Sequence, residues 1–146
     1  MREQCVIAAI DLQHEDSDRI IAEEALALAR NHGAELCLVY VIPDQQESFV
    51  QAYIPAEMKE QVTKDAKASL EAFSKTLEGG EITIKTKVLR GIVYQRIIEL
   101  ADKLKAKIVV VGANKPAFVD YFLGPNAARV ARHTECSVMI VRPERG

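Results

Sequence analysis

Short apolar runs alternate along the chain with segments in which apolar residues recur every three or four positions, a pattern that predicts a parallel α/β sheet. The first run, Cys5 to Ile10, is apolar at consecutive positions, as a strand covered on both faces must be, and it ends at Asp11. From about Ser17, a candidate N-cap, Ile21, Ala25 and Leu28 recur at helical spacing until Gly33 supplies a stop. A second continuous strand runs from Leu36 to Ile42, and Pro43 closes it. Beyond a polar connection through Gln45, Gln46 and Glu47, the residues Met58, Val62, Ala66, Leu70, Phe73 and Leu77 form the longest amphipathic stripe. Gly79-Gly80 breaks it.

The third strand is different in kind. Ile82, Ile84, Thr86 and Val88 alternate with Thr83, Lys85 and Lys87, so one face is polar and studded with lysine, which marks a guarded edge. After Gly91, Val93, Ile97, Leu100 and Leu104 form a further helical stripe. It leads into Ile108 to Gly112, the most strongly β-branched run in the chain and the expected central strand. Pro125 opens a short helix with Ala127, Val130 and Ala131 inward, before a last strand from Cys136 to Val141 and a stop at Pro143. Right-handed crossovers then favour a doubly wound, five-stranded parallel sheet in the order 3-2-1-4-5, flanked by four helices.

Composition adds mainly exclusions. The 146 residues, 49% apolar and 27% charged, suit one domain spanning 1–146. A formal charge of −2 provides no positive excess for a nucleic-acid backbone. No apolar run approaches the roughly 20 residues of a bilayer span, and Met1 to Gln4 lead into no signal-peptide pattern, so no membrane partner and a cytoplasmic location are expected. Cys5, Cys37 and Cys136 are odd in number and set in apolar segments, as small hydrophobes rather than a disulfide framework. His133-x-x-Cys136 is the one close His/Cys pair, and it predicts no metal.

In the proposed strand order the winding reverses between strands 1 and 4. The crevice beyond Asp11 and Gly112 is therefore the expected ligand site. Residues 113 to 123 form a long connection carrying Phe118, Tyr121, Phe122 and Leu123, and it delivers Gly124 and a helix N-terminus to the crevice, an arrangement suited to a phosphate. Lys115 adds a positive charge there. Two alternatives stay open: Gly112 and Gly124 serve only as a turn and a cap, and Asp11 caps the turn that follows it instead of meeting a ligand hydroxyl. There is no Walker-type phosphate loop, no G-x-G-x-x-G after the first strand, no G-x-S-x-G elbow and no phosphoacceptor Asp after strand 3, which disfavours NAD chemistry, Walker-type hydrolysis, an esterase and a receiver domain.

From Gly112-Ala-Asn-Lys to Gly124-Pro-Asn-Ala-Ala-Arg-Val-Ala-Arg-His and on to Val141, the sequence resembles the universal stress protein family, and within it the F and G type. The likeness extends over the chain through Ile10-Asp11, Val39 to Ile42 and Gly91. The resemblance implies an adenine nucleotide alpha hydrolase-like fold and a dimeric stress-response sensor or regulator that binds ATP, ADP or AMP, with or without Mg. It implies that Asp11 serves the ribose and main chain at Val41 the adenine, with Ile10 in the same binding site, and that Gly112, Asn114, Lys115, Gly124, Pro125, Asn126 and Ala127 lie on the phosphate side. In ATP-binding members the fourth strand is followed by G-x-x-G, about nine residues and G-[ST]. Here Lys115 replaces the second glycine, the spacer is one residue shorter, and Pro125 replaces the hydroxyl residue, leaving Asn126 and Ala127 as backbone donors. The phosphate half thus departs from the pattern more than the base and sugar half. No general base or nucleophile for fast turnover is evident, so hydrolysis is expected to be weak at most. Val138 to Val141 is apolar at every position yet assigned to a sheet edge, so the last strand, Cys136 to Val141, is the expected homodimer interface, as the resemblance also implies. The alternative function is an interaction module that Lys115 and Pro125 have deprived of nucleotide binding.

Overall fold

The computed structural model describes residues 4–43, 54–113 and 125–142. Its elements follow in the order β1 (Cys5–Ala9), α1 (Glu15–His32), β2 (Glu35–Pro43), α2 (Ala56–Lys75), β3 (Ile84–Gly91), α3 (Val93–Leu104), β4 (Ile108–Gly112), α4 (Pro125–His133) and β5 (Ser137–Val141). All four strand pairings are parallel, and the sheet order is β3-β2-β1-β4-β5, as the hydrophobic pattern predicts. Cys5 to Ala9 pair with Glu35 to Val39 on one side of β1, and Val6 to Ala8 pair with Ile108 to Val110 on the other.

Alternation along the central strands divides the core in two. Val6, Ala8, Leu36, Leu38 and Val110 face α1 and α2, where Ile21, Ala25, Leu70 and Phe73 cover them. Ile7, Cys37, Val39, Val109 and Val111 face α3 and α4, against Ile97, Leu100, Ala127 and Val130. Cys5 and Cys37 are buried free thiols, and the free thiol of Cys136 is half-buried. Among the described residues no helix is long and apolar enough to cross a membrane, and no group of three His, Cys, Asp or Glu side chains is placed to hold a metal ion.

Several boundaries and faces differ from the sequence expectation. Helix α1 starts at Glu15 and not at Ser17; its N-cap position is His14, which makes no side-chain capping bond. The Asp11 carboxylate performs that work, accepting from the Gln13 and His14 N–H groups at 2.8 and 3.0 Å. At the other end Gly33 closes α1 in the left-handed region, at φ 61°, a conformation cheap only for glycine. Strand β3 begins at Ile84, because Ile82 donates to the Gly79 carbonyl at 3.0 Å and so belongs to the preceding turn.

Along α2 the apolar stripe is buried at Ala66, Leu70, Phe73 and Leu77, while Met58 and Val62 are 59% and 47% exposed. There a polar tie holds the helix to β3: the Arg90 guanidinium donates to the Lys59 carbonyl and the Thr63 hydroxyl, each at 3.0 Å. Leu104, the last residue of α3, is also exposed. So is Ala131, which stands about 100° around α4 from the buried Val130 and outside the narrow arc that Ala127 and Val130 cover.

This division of α2 is measurable. Leu70→Ala should cost about 2–5 kcal/mol in urea denaturation, whereas Met58→Ala should stay within about 0.5 kcal/mol of the parent.

Candidate functional site

Two aspartates wind the connection between β1 and α1. Ile10 continues the strand by donating to the Val39 carbonyl at 2.8 Å. The next two N–H groups, of Asp11 and Leu12, donate to the two carboxylate oxygens of Asp18 at 3.0 and 2.9 Å. Leu12 sits at φ 63°, a left-handed conformation that a side chain disfavours, and the Asp18 bonds to its own nitrogen and to that of Asp11 help to hold it there. Asp11 then turns its own carboxylate onto Gln13 and His14, and its Oδ2 lies 2.9 Å from His14 Nδ1. The capping alternative for Asp11 is therefore realised. The side chain nevertheless stays 37% exposed at the mouth of a cavity.

That cavity, of about 140 Å³, lies beyond the carboxyl ends of β1 and β4, where the winding of the sheet reverses. Ile10 and Asp11 from the first turn, Gly112 from β4, and Asn126 and Ala127 from the first turn of α4 come together around it. Ser17, Asp18 and Ile21 of α1, Val93 and Ile97 of α3, and Val130 of α4 complete the walls. Val41 is buried in the core on the α3–α4 side, and Pro125 is exposed at the start of α4; neither lines the cavity. Asn114, Lys115 and Gly124 lie outside the described residues, as do Phe118, Tyr121, Phe122 and Leu123. A wider, open hollow of about 590 Å³ beside Arg30, Glu35, Gly79 and Thr83 lies at the opposite end of the sheet, away from the crevice where such folds bind ligands.

The two carboxylates are electrostatically unequal. Burial pushes Asp11 up, but His14 and the two N–H bonds from the turn outweigh it and hold the carboxyl below its usual range. Asp18 is 2% exposed, and burial pushes it up to about 6; the N–H bonds from Asp11 and Leu12 oppose that shift and the Asp11 charge adds to it. When one proton enters this pair, it goes to Asp18.

Asp18 is the residue that pattern reading overlooks. It heads the buried stripe Ile21, Ala22 and Ala25 at helical spacing, and an acidic residue on an otherwise apolar face was the available signal.

A folded-state pKa near 6 exceeds the unfolded value, so the folded protein holds more protons between the two. Asp18 therefore contributes stability below the unfolded value that is lost as pH rises through about 6. Between pH 4.5 and 7.5 the parent should lose about 1–3 kcal/mol relative to the Asp18→Asn variant, read as a fall of its urea denaturation midpoint relative to that of the variant.

The model of the universal stress protein family matches residues 4–142. Universal stress protein MJ0531 of Methanocaldococcus jannaschii is 29% identical over 127 residues, covering 83% of this chain and 72% of that protein. Universal stress protein G of Salmonella typhimurium is 28% identical over 140 residues, 94% of this chain and 97% of the relative. Among solved structures, protein MJ0577 superposes with a TM-score of 0.80 at 19% identity, over 100% of both chains. A universal stress protein solved in complex with cAMP gives 0.72 at 24% identity, over 99% of this chain and 100% of the other. One from Archaeoglobus fulgidus in complex with dAMP gives 0.66 at 16%, over 96% and 98%. With the family model spanning every described element, the chain belongs to the universal stress protein family.

Proposed function

We propose that the protein binds an adenine nucleotide in the crevice beyond β1 and β4 and acts in the cytoplasm as a dimeric sensor or regulator of the stress response. The observation that carries this reading is the convergence of Ile10, Asp11, Gly112, Asn126 and Ala127 on one cavity at the reversal of the sheet's winding. The complexes of two structurally similar proteins with cAMP and dAMP support the choice of ligand class.

The residues present fit such a group. Asp11 Oδ2 carries one bond, to His14, and keeps acceptor capacity for a ribose hydroxyl. The first-turn N–H groups of α4 at Asn126 and Ala127 have no partner inside the helix and favour an anion. A cavity of about 140 Å³ is below the ~300 Å³ of a full ligand pocket, so it takes the base or the sugar, and the phosphates lie at the N-terminus of α4. Asp11 orients the sugar, the wall of Val93, Ile97 and Val130 excludes water, and the helix N-terminus offsets phosphate charge.

The dimer would form along β5. Val138, Met139 and Ile140 remain only half-buried on this outer strand, which carries no lysine, whereas Lys85 and Lys87 stand exposed on β3 at the other edge.

Isothermal titration with ATP, ADP and AMP, joined to mass spectrometry of co-purified ligand, tests the nucleotide. Binding of at least one is expected, and silence at millimolar ligand would leave the protein an interaction module. Pro125→Ser, which restores an N–H and a hydroxyl to the first turn, should tighten ATP binding about three- to tenfold, and Gly124→Val should abolish it. Ile140→Lys should convert dimers to monomers in sedimentation, and a persistent dimer would rule out pairing along β5.

A further inference from the structure

Asp18 occupies an unusual place for a carboxylate. It is 2% exposed, sits on the buried face of α1, and shares the cavity wall with Asp11, the residue assigned to the sugar. Both of its oxygens are engaged by the backbone of the turn that carries Asp11. Its ionised form is thus a second negative charge placed directly behind the first, in the wall of the cavity whose α4 rim is proposed to receive a phosphate.

Resting on the nucleotide reading above, we infer that Asp18 is a positioning residue for the ligand, and that the proton it gains or loses sets how tightly the crevice holds an anionic nucleotide. With Asp18 ionised, its bonds to the Asp11 and Leu12 nitrogens aim Asp11 at the cavity, but its charge adds to the repulsion felt by phosphate. With Asp18 neutral, one carboxyl oxygen still accepts from the turn, the hydroxyl is free to donate to Asp11, and one negative charge is gone from the wall. Affinity for an anion therefore rises as pH falls, and by reciprocity binding draws a proton into the site.

Among the described residues the groups that face Asp18 are few. The β1–α1 turn contributes Asp11 and, behind it, His14. On the α2 side Ser69, Ala72, Phe73 and Thr76 are uncharged, with Glu15 of α1 at the rim and Arg19 paired to Glu15 at 3.5 Å and donating to Thr76. Across the cavity the described walls, Val93, Ile97, Gly112, Asn126 and Val130, carry no charge. His14 is the one histidine in this turn and is hydrogen-bonded to Asp11, so it is the necessary control.

The probe is cAMP, whose diester keeps a single charge across this range, whereas the monoester of AMP itself titrates near pH ~6; adenosine serves as the uncharged comparison. In the parent protein the cAMP dissociation constant should fall about three- to tenfold from pH 7.5 to 5.5, and that of adenosine less than about twofold. In Asp18→Asn the cAMP response should flatten, and in His14→Gln it should persist. Measurable binding with no pH response, a response retained in Asp18→Asn, or one lost only in His14→Gln would overturn the inference while leaving nucleotide binding intact. No binding of either ligand at any pH would overturn both. Should Asp18→Asn fail to fold, carbon NMR of the Asp18 carboxyl in the parent decides: its midpoint should move up when cAMP is added, and an unmoved midpoint refutes the linkage.

Discussion

The structure depends on strands that have no solvent face. Val6, Ile7 and Ala8 of β1 and Val109 and Val110 of β4 are all fully buried, so each side of the sheet centre needs helices. Short right-handed connections meet that need in few ways. The chain winds outward from β1 through α1, β2 and α2 to β3 on one side, and α3 returns it across the sheet to β4, with α4 leading on to β5. Where the two directions part, beyond the carboxyl ends of β1 and β4, an open α/β sheet leaves a crevice. The crevice is a by-product of burying the central strands twice.

The same constraint explains which parts were legible. A strand buried on both faces must be apolar at consecutive positions, so Cys5–Ala9, Glu35–Pro43 and Ile108–Gly112 announced themselves, and the alternation of Ile84 to Val88 with Lys85 and Lys87 marked an edge. Periodicity carries no information about what a helix finally packs on. Met58 and Val62 share the stripe of Leu70, but at that end of α2 the Arg90 side chain makes the contact, a polar tie between residues about thirty apart that no local window contains.

The site was legible in outline for the same reason, since the strand order fixes where the crevice lies, and Ile10, Asp11, Gly112, Asn126 and Ala127 do meet there. Its wiring was not. Ser17 has the composition of an N-cap, yet Asp11 and Asp18 shape the turn and start α1 two residues earlier. Choosing between a short-range cap and a bond six or seven residues away requires knowing that the chain folds back, which propensity does not encode. The side chain of Val41, whose main chain the family motif matches to the adenine, is part of the core on the α3–α4 side.

A net charge of −2 gives the molecule almost no field to attract an anion, so the phosphate selectivity proposed for the crevice would have to arise within a few ångströms. The N-terminus of α4 supplies attraction, and the Asp11–Asp18 pair supplies repulsion across the same cavity. For stability alone this pair is a poor choice, because a buried carboxylate held near a like charge is least favourable at neutral pH, and a neutral Asn or Ser at position 18 would cap one of the two N–H groups without that penalty. Only a carboxylate accepts from both Asp11 and Leu12 at once, holding Leu12 left-handed and Asp11 at the cavity mouth. Stability has been given up where the geometry of the candidate site is set, and the cost falls away on acidification, when the site also becomes more hospitable to an anion.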